Sequence, residues 1–419
     1  MRLRGRRPYY GWAVLAVGSL VAFSSGPGQS YVFSVFLDPM IEDTGLSRTL
    51  ISSLYTAGTM ASAIMVMAVS RLADRFGVRL VLIGVAFALG AACFGMAFAT
   101  SGLAFIVLFA TLRALGQGSM PINATLLAAQ WFVRRRGLAV AIMGLGFAAS
   151  NALLPPVSRL LIEAFGWREA YIALGLMVWL LVIPGAIFIV RNKPEDKGLY
   201  PDGDPNPPPG ESDASAADAG PDRRRVFTSL TFWSLALPLA VPGFVVTALI
   251  FHQTSIFAEN GLGPGQAAAV FVPYAIAAAV CSLGAGMFID RFGPRLAFLI
   301  NMGVMLLALA LVLFVVTNPT MATIYGLVLG ATGSTSQVIS GTTWAHFYGR
   351  QGLGRIQGSA TMVGISSAAI GPLPIAFIEG WTGSFQPGIA LMMFLPVAAA
   401  LTLYFLPPRP ATTPATSAA

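Results

Sequence analysis

The sequence predicts an all-α membrane protein, with 12 transmembrane helices in two pseudo-symmetric six-helix bundles. Three observations carry that reading. The 419-residue chain is 56% hydrophobic, with a mean hydropathy of +0.75. Only 10% of its residues are charged, against about 25% in an ordinary soluble domain. And one polar, turn-forming run occurs twice: SRLADRFGVR at 70–79 and GMFIDRFGPR at 286–295, with Asp74 and Asp290 standing 216 positions apart.

A bilayer core takes about 20 apolar residues as helix. The first stretch of that kind is 11–37, interrupted by Gly26-Pro27-Gly28. It follows MRLRGRRPYYGW, which is basic, lacks a small-residue cleavage site and reads as a cytoplasmic start. Spans 48–69 and 80–99 flank the first DRFG run. Span 103–131 carries Arg113, span 137–162 is interrupted by Pro155-Pro156, as the repeat-related Gly371-Pro372 interrupts 356–378, and span 167–190 closes the first half. Residues 191–228 are rich in Pro, Asp, Ala and Gly, bury no apolar area, and read as a mobile cytoplasmic linker. The second half repeats the plan with spans 229–257, 266–288, 296–316, 320–347, 356–378 and 384–406. The domains are therefore 1–190, the linker 191–228, 229–407, and a disordered tail 408–419.

The duplication extends beyond one loop. EDTGLSRTL at 42–50 answers to AENGLGPGQ at 258–266, WFVRRRGLAVAIMG at 131–144 to HFYGRQGLGRIQGS at 346–359, and EAFGW at 163–167 to IEGW at 378–381. Repeats of one orientation are expected from such a pattern. With both termini cytoplasmic, 21 of the 25 Lys and Arg residues fall on the cytoplasmic side, as the positive-inside rule requires. The net charge of +8 then records loop orientation and anionic lipid contact, not nucleic-acid binding. Cys93 and Cys281 sit in apolar runs and read as small buried hydrophobes. No phosphate-binding loop, metal-ligand cluster or nucleophile–base pair is spaced for catalysis, so neither an enzyme nor a cofactor is expected.

Two six-helix halves, each with a DRFG loop between its second and third spans, resemble the major facilitator superfamily. The family pattern is Gly-x-x-x-Asp-Arg-x-Gly-x-Arg. The second copy matches it with Gly286, Asp290, Arg291, Gly293 and Arg295; the first has Ser70 for the leading Gly, then Asp74, Arg75, Gly77 and Arg79. The resemblance implies the major facilitator fold, two halves rocking about a midplane cavity, and these loops as the conformational latch. Arg113-Ala-Leu-Gly-Gln-Gly118 is similar to the family's intramembrane Arg followed by glycines. No acid lies deep in any span, so Arg113 faces either backbone carbonyls or an anion.

Within the superfamily, Trp131-Phe132-Val133-Arg134-Arg135-Arg136-Gly137-Leu138-Ala139 resembles the monocarboxylate and oxalate/formate porter branch. Lys193-Pro194-Glu195-Asp196 with Pro201-Asp202-Gly203 is similar to the linker of its bacterial members, implying a bacterial cytoplasmic membrane. That branch implies a secondary active transporter of a small organic acid, such as lactate or pyruvate, coupled to protons. It also implies an Arg in the eighth span, but Ser282 stands there, and 356–378 carries no basic residue. The alternative reading is efflux of amphipathic or neutral small molecules. His252 in the seventh span is the candidate proton carrier, with Arg113 in support. On the family's pattern of cavity-lining helices, Tyr31, Asn123, His252 and Gln337 are the expected substrate contacts, with Ser282 at the missing Arg's place. Arg159 and Glu163 form an i,i+4 pair at a helix end.

Overall fold

The computed structural model describes residues 9–132, 135–204, 229–348 and 353–405, and among these every regular element is helical. The chain divides into two compact units, Met1–Ala214 and Ser215–Ala419. In the first, α1 Gly11–Phe23 and α2 Ser30–Thr44 share one apolar span, broken by a 3₁₀ turn over Gly26–Gly28. Then come α3 Arg48–Phe76, α4 Val78–Ala97, α5 Gly102–Leu112, α6 Met120–Trp131, α7 Arg136–Phe165 and α8 Trp167–Phe188. A π-helical turn over Arg113–Ser119 joins α5 to α6.

The second unit has α9 Leu230–Phe251, α10 Gln253–Glu259, α11 Pro264–Ala269, α12 Phe271–Phe292, α13 Pro294–Phe314 and α14 Pro319–Tyr348. It ends with α15 Leu353–Ile370, α16 Pro372–Thr382, α17 Gln386–Met392 and α18 Phe394–Phe405. Among the described residues, 10 helical segments are long and apolar enough to cross a membrane. The helices α3 and α14, of 29 and 30 residues, fill the remaining two predicted places, in keeping with twelve spans. Large apolar side chains such as Leu180, Phe188, Leu283 and Met287 stand exposed, as a lipid-facing surface requires.

Local chemistry sets the joints. Gly77 and Gly293 hold φ of 81° and 82°, a conformation that strongly favours glycine, and each starts the helix after its DRFG run. Ser101 caps α5 by accepting from Ala104 N, and Asn318 caps α14 by accepting from Met321 N. Inside the first unit, the Phe36 and Tyr171 rings lie 4.1 Å apart and those of Phe33 and Phe109 4.9 Å apart. The second unit packs Phe232, Phe298, Met302, Trp344 and Leu403 into one cluster.

Two details depart from the sequence reading. Pro155-Pro156 does not interrupt its span: α7 continues through both prolines. Its partner at Gly371-Pro372 does separate α15 from α16, and Gly371 lies so close to Phe244 O that a Cβ could not fit. The linker, expected to be mobile throughout, is ordered over its first part. Pro194–Lys197 and Pro201–Gly203 form 3₁₀ turns strapped to the first unit. Tyr9 donates to Trp131 O at 3.0 Å, Tyr10 to Ile189 O at 2.7 Å, and Trp131 Nε1 to Arg191 O at 3.2 Å. The Asp202 carboxylate accepts from Arg135 N at 3.1 Å, and the Lys197 ammonium lies 4.6 Å from the Tyr10 ring centre. Aromatic and capping partners, with Pro194 and Pro201 buried, hold this stretch. The rest of the linker, 205–228, and the tail from 406 lie outside the described residues.

Candidate functional site

The candidate residues divide between the two units, and most are held by partners of their own. In the first, the π turn has a legible cause. Pro121 has no N–H to give Gln117 O, and Gly116 and Gly118 loosen the stretch before it. The chain responds with i→i−5 bonds: Met120 N reaches Leu115 O, and Ser119 Oγ donates to Ala114 O at 2.8 Å. The π turn lies directly against the 3₁₀ break of the first span. Gly28 and Gly116 meet backbone to backbone, so that a Cβ on Gly116 would fall 2.7 Å from Gly28 Cα and 2.9 Å from Ser25 O.

Arg113 begins the π turn and is 3% exposed. Its NH1 donates to Gly28 O at 3.0 Å and to Ser30 Oγ at 3.2 Å, and its Nε donates to Thr59 Oγ1 at 3.2 Å. The Tyr55 ring lies beneath the guanidinium, 4.9 Å from Cζ. Ser30 Oγ is 2.7 Å from Tyr55 Oη, and Thr59 Oγ1 donates to Tyr55 O at 2.8 Å. Among the described residues no carboxylate pairs with Arg113, and NH2 makes no hydrogen bond. The sequence leaves carbonyls and an anion as alternatives for this Arg; the structure gives it a carbonyl and two hydroxyls, with one nitrogen left over. Ser30, Tyr55 and Thr59 are missed by sequence reasoning, because hydroxyl residues are common in spans and only their spatial convergence marks them.

Tyr31 is buried, its hydroxyl 2.9 Å from Ser150 Oγ. Asn123 is 1% exposed; its Nδ2 donates to Ser119 O at 2.8 Å and its Oδ1 has no hydrogen bond. In the second unit His252 is fully buried at the joint between α9 and α10. Its Nε2 lies 2.9 Å from Pro372 O, which only accepts, so Nε2 carries the hydrogen. Phe251 and Phe385 enclose the imidazole at ring separations of 4.9 and 5.5 Å. Ser282 donates to Ala279 O of its own helix at 2.9 Å, and Gln337 is exposed on α14. The buried pair Asn301 Nδ2 and Ser336 Oγ, 2.7 Å apart, carries no sequence signal. Among the described residues no three of His, Cys, Asp and Glu gather in a metal-holding group.

The two DRFG runs build matching joints. Arg75 lies 5.2 Å from the Phe76 ring centre and Arg291 5.3 Å from that of Phe292. Arg79 NH2 donates to Ile187 O at 2.6 Å and its Nε to Ala186 O at 3.3 Å, both at the end of α8. Arg295 NH2 donates to Tyr404 O at 2.7 Å, at the end of α18. A cation on the last carbonyls of a helix is favourable. Asn192 Oδ1 accepts from Arg79 N at 2.9 Å. Asp290 is exposed, Gly286 is partly buried, and the side chains of Asp74 and His346 lie outside the described set. Arg159 and Glu163 pair at 2.7 Å, as their spacing predicts.

Comparison with known proteins places this geometry. The family model described as Major Facilitator Superfamily matches residues 18–263, more than half of the chain. The chain is 26% identical over 405 residues to the 4-hydroxybenzoate transporter PcaK of Pseudomonas putida, covering 91% of this chain and 87% of that protein. It is 28% identical over 265 residues to monocarboxylate transporter 11 of Mus musculus, covering 61% and 56%. A similar gallate transporter of Pseudomonas putida is 25% identical over 68% of this chain and 67% of its own length. In structure it is similar to a bacterial homologue of the human lysosomal transporter Spinster, with a TM-score of 0.70 at 16% identity, over 95% of this chain and 96% of that one. It is also similar to the nucleoside transporter NupG, with a TM-score of 0.74 at 12% identity, over 93% and 99%. The chain belongs to the Major Facilitator Superfamily, and it is a multi-pass membrane transporter, not an enzyme.

Proposed function

We propose that this protein carries small organic acid anions, aromatic monocarboxylates foremost, across a bacterial cytoplasmic membrane by alternating access with proton coupling. One observation carries the reading: a permanently charged guanidinium, Arg113, is buried among neutral partners with one nitrogen unbonded. A buried cation without a carboxylate suits an anionic cargo. The substrates for which the similar transporters are named, 4-hydroxybenzoate and gallate, are aromatic acids and support the same class. They favour aromatic acids over lactate or pyruvate as the first solutes to test. His252 takes the proton in this reading, and the DRFG joints hold one conformation of the cycle. The basic residues of the loops face the cytoplasm, with both termini on that side.

Uptake of labelled 4-hydroxybenzoate, L-lactate and pyruvate into proteoliposomes, with and without an inward proton gradient, tests this. Wild type accumulates 4-hydroxybenzoate under the gradient. Arg113→Gln loses that uptake by about tenfold or more, since a neutral amide cannot replace the charge-assisted contact. Gradient-independent uptake in wild type removes the proton from the reading, and equal uptake by Arg113→Gln removes Arg113. No acid uptake by wild type sinks the reading and points to neutral solutes.

A further inference from the structure

The hydrogen-bonding state of Arg113 restricts how an anion can meet it. A guanidinium has five N–H donors, arranged so that a carboxylate is gripped by two parallel bonds from two different nitrogens. Two such forks include NH2: one shared with Nε, the other with NH1. Here the Nε hydrogen is taken by Thr59 Oγ1, and both NH1 hydrogens by Gly28 O and Ser30 Oγ. Each fork is therefore half occupied before any ligand arrives.

The blocking groups are held in their roles. The Thr59 hydroxyl donates its own hydrogen to Tyr55 O at 2.8 Å, so toward Arg113 its oxygen can only accept. Ser30 Oγ is anchored by Tyr55 Oη at 2.7 Å, and the Tyr55 ring covers one face of the guanidinium. The two hydrogens that remain are both on NH2, which is closed from solvent and makes no hydrogen bond in this conformation. Arg113 itself opens the π turn, and its NH1 meets the 3₁₀ break at Gly28 O; these two irregular segments touch without side chains between them.

Resting on the organic-acid reading above, we infer that the anion is held end-on by NH2 alone. The site then selects negative charge on an aromatic body and does not select carboxylate planarity. A tetrahedral sulfonate offers a single oxygen to a single nitrogen as well as a planar carboxylate does. The substrate class thus extends to aryl sulfonates. Thr59 and Ser30 are the positioning residues that keep it so, and the 3₁₀ and π segments must part to admit the ligand.

The test is competition in proteoliposomes holding the full chain, with labelled 4-hydroxybenzoate as the transported probe. Benzoate, benzenesulfonate and neutral benzamide are the competitors. In wild type, benzoate and benzenesulfonate inhibit within about threefold of each other, and benzamide does not compete, because charge without a fork sets the contact. Thr59→Val frees the Nε hydrogen and restores a fork, so benzoate gains about tenfold over benzenesulfonate. Thr59→Ser, which keeps the acceptor, returns the wild-type ratio. If Thr59→Val does not reach the membrane folded, Thr59→Ala frees the same Nε hydrogen and predicts the same change of ratio. Exclusion of benzenesulfonate by wild type, or an unchanged ratio in the freed-fork variants, overturns the inference while leaving acid transport intact. Absence of any aryl acid uptake overturns both.

Discussion

Gly28 has little freedom to change. A methyl group there would run into Leu112 O and come within 2.7 Å of Gly116 Cα, so that a backbone would have to shift to receive it in this conformation. Gly28→Ala is therefore expected to destabilise the protein by about 1–3 kcal/mol, the usual range for overpacking, and to pull Gly28 O away from Arg113. Thermal unfolding in detergent, with Gly84→Ala as the reference because nothing lies near a Cβ there, measures the difference; equal melting points would contradict the close approach. The sequence makes Gly26-Pro27-Gly28 visible as a break and Arg113 as an anomaly. It does not show that one serves the other, since the residues are 85 positions apart and periodicity says nothing about which helices face each other. His252 was equally visible as a titratable group, but its enclosure by Phe251, Phe385 and the Pro372 carbonyl depends on three separate stretches of chain.

Among the elements, the π turn follows from a proline placed second in α6, where it leaves Gln117 O without its usual amide. Pro121→Ala restores the missing amide and favours ordinary i→i−4 bonding. Hydrogen exchange at the amides of 117–120 should then slow relative to wild type, and unchanged exchange would show that the glycines alone maintain the turn. The strap at 191–204 has a pH limit. Burial, reinforced by the nearby Asp202 charge, pushes the Tyr9 phenol up to about 12. The fold thus prefers the neutral phenol that donates to Trp131 O. Its contribution is fully present below pH 10, the ordinary tyrosine value, and is lost as pH rises toward about 12. Unfolding of wild type and Tyr9→Phe, compared at pH 8 and pH 11, should show a gap at pH 8 that narrows at pH 11. Helix existence was legible from apolar run length almost everywhere, whereas this strap was not, because its order comes from caps and aromatic contacts that composition does not reveal.

For the molecule as a whole, the duplication read from two DRFG runs reappears as duplicated joinery within each unit. Asp43 accepts from Trp167 Nε1 at 3.2 Å and pairs with Arg168 at 2.7 Å, at the start of α8. Glu259, 216 positions later, accepts from Phe385 N at 2.8 Å and from the Ser384 hydroxyl, just ahead of α17. Arg79 and Arg295 form the matching ties at the other end of each unit, but unequally. Arg79 grips two carbonyls and its amide is bound by Asn192, while Arg295 grips one. Arg79→Ala should therefore lower the unfolding free energy more than Arg295→Ala, by about 1 kcal/mol for the additional carbonyl contact, and so melt lower; the reverse order would contradict the unequal ties. The likeness stops at Arg113, since the corresponding stretch of the second unit reads Val328-Leu329-Gly330. That asymmetry bears on how the chain is made. A lone Arg near the centre of a span costs about 2.5–3.5 kcal/mol to insert. Every group that receives this one, from Gly28 and Ser30 to Tyr55 and Thr59, precedes it in the chain. During synthesis the receiving groups leave the ribosome first, so the charged helix arrives in a membrane that already holds its partners.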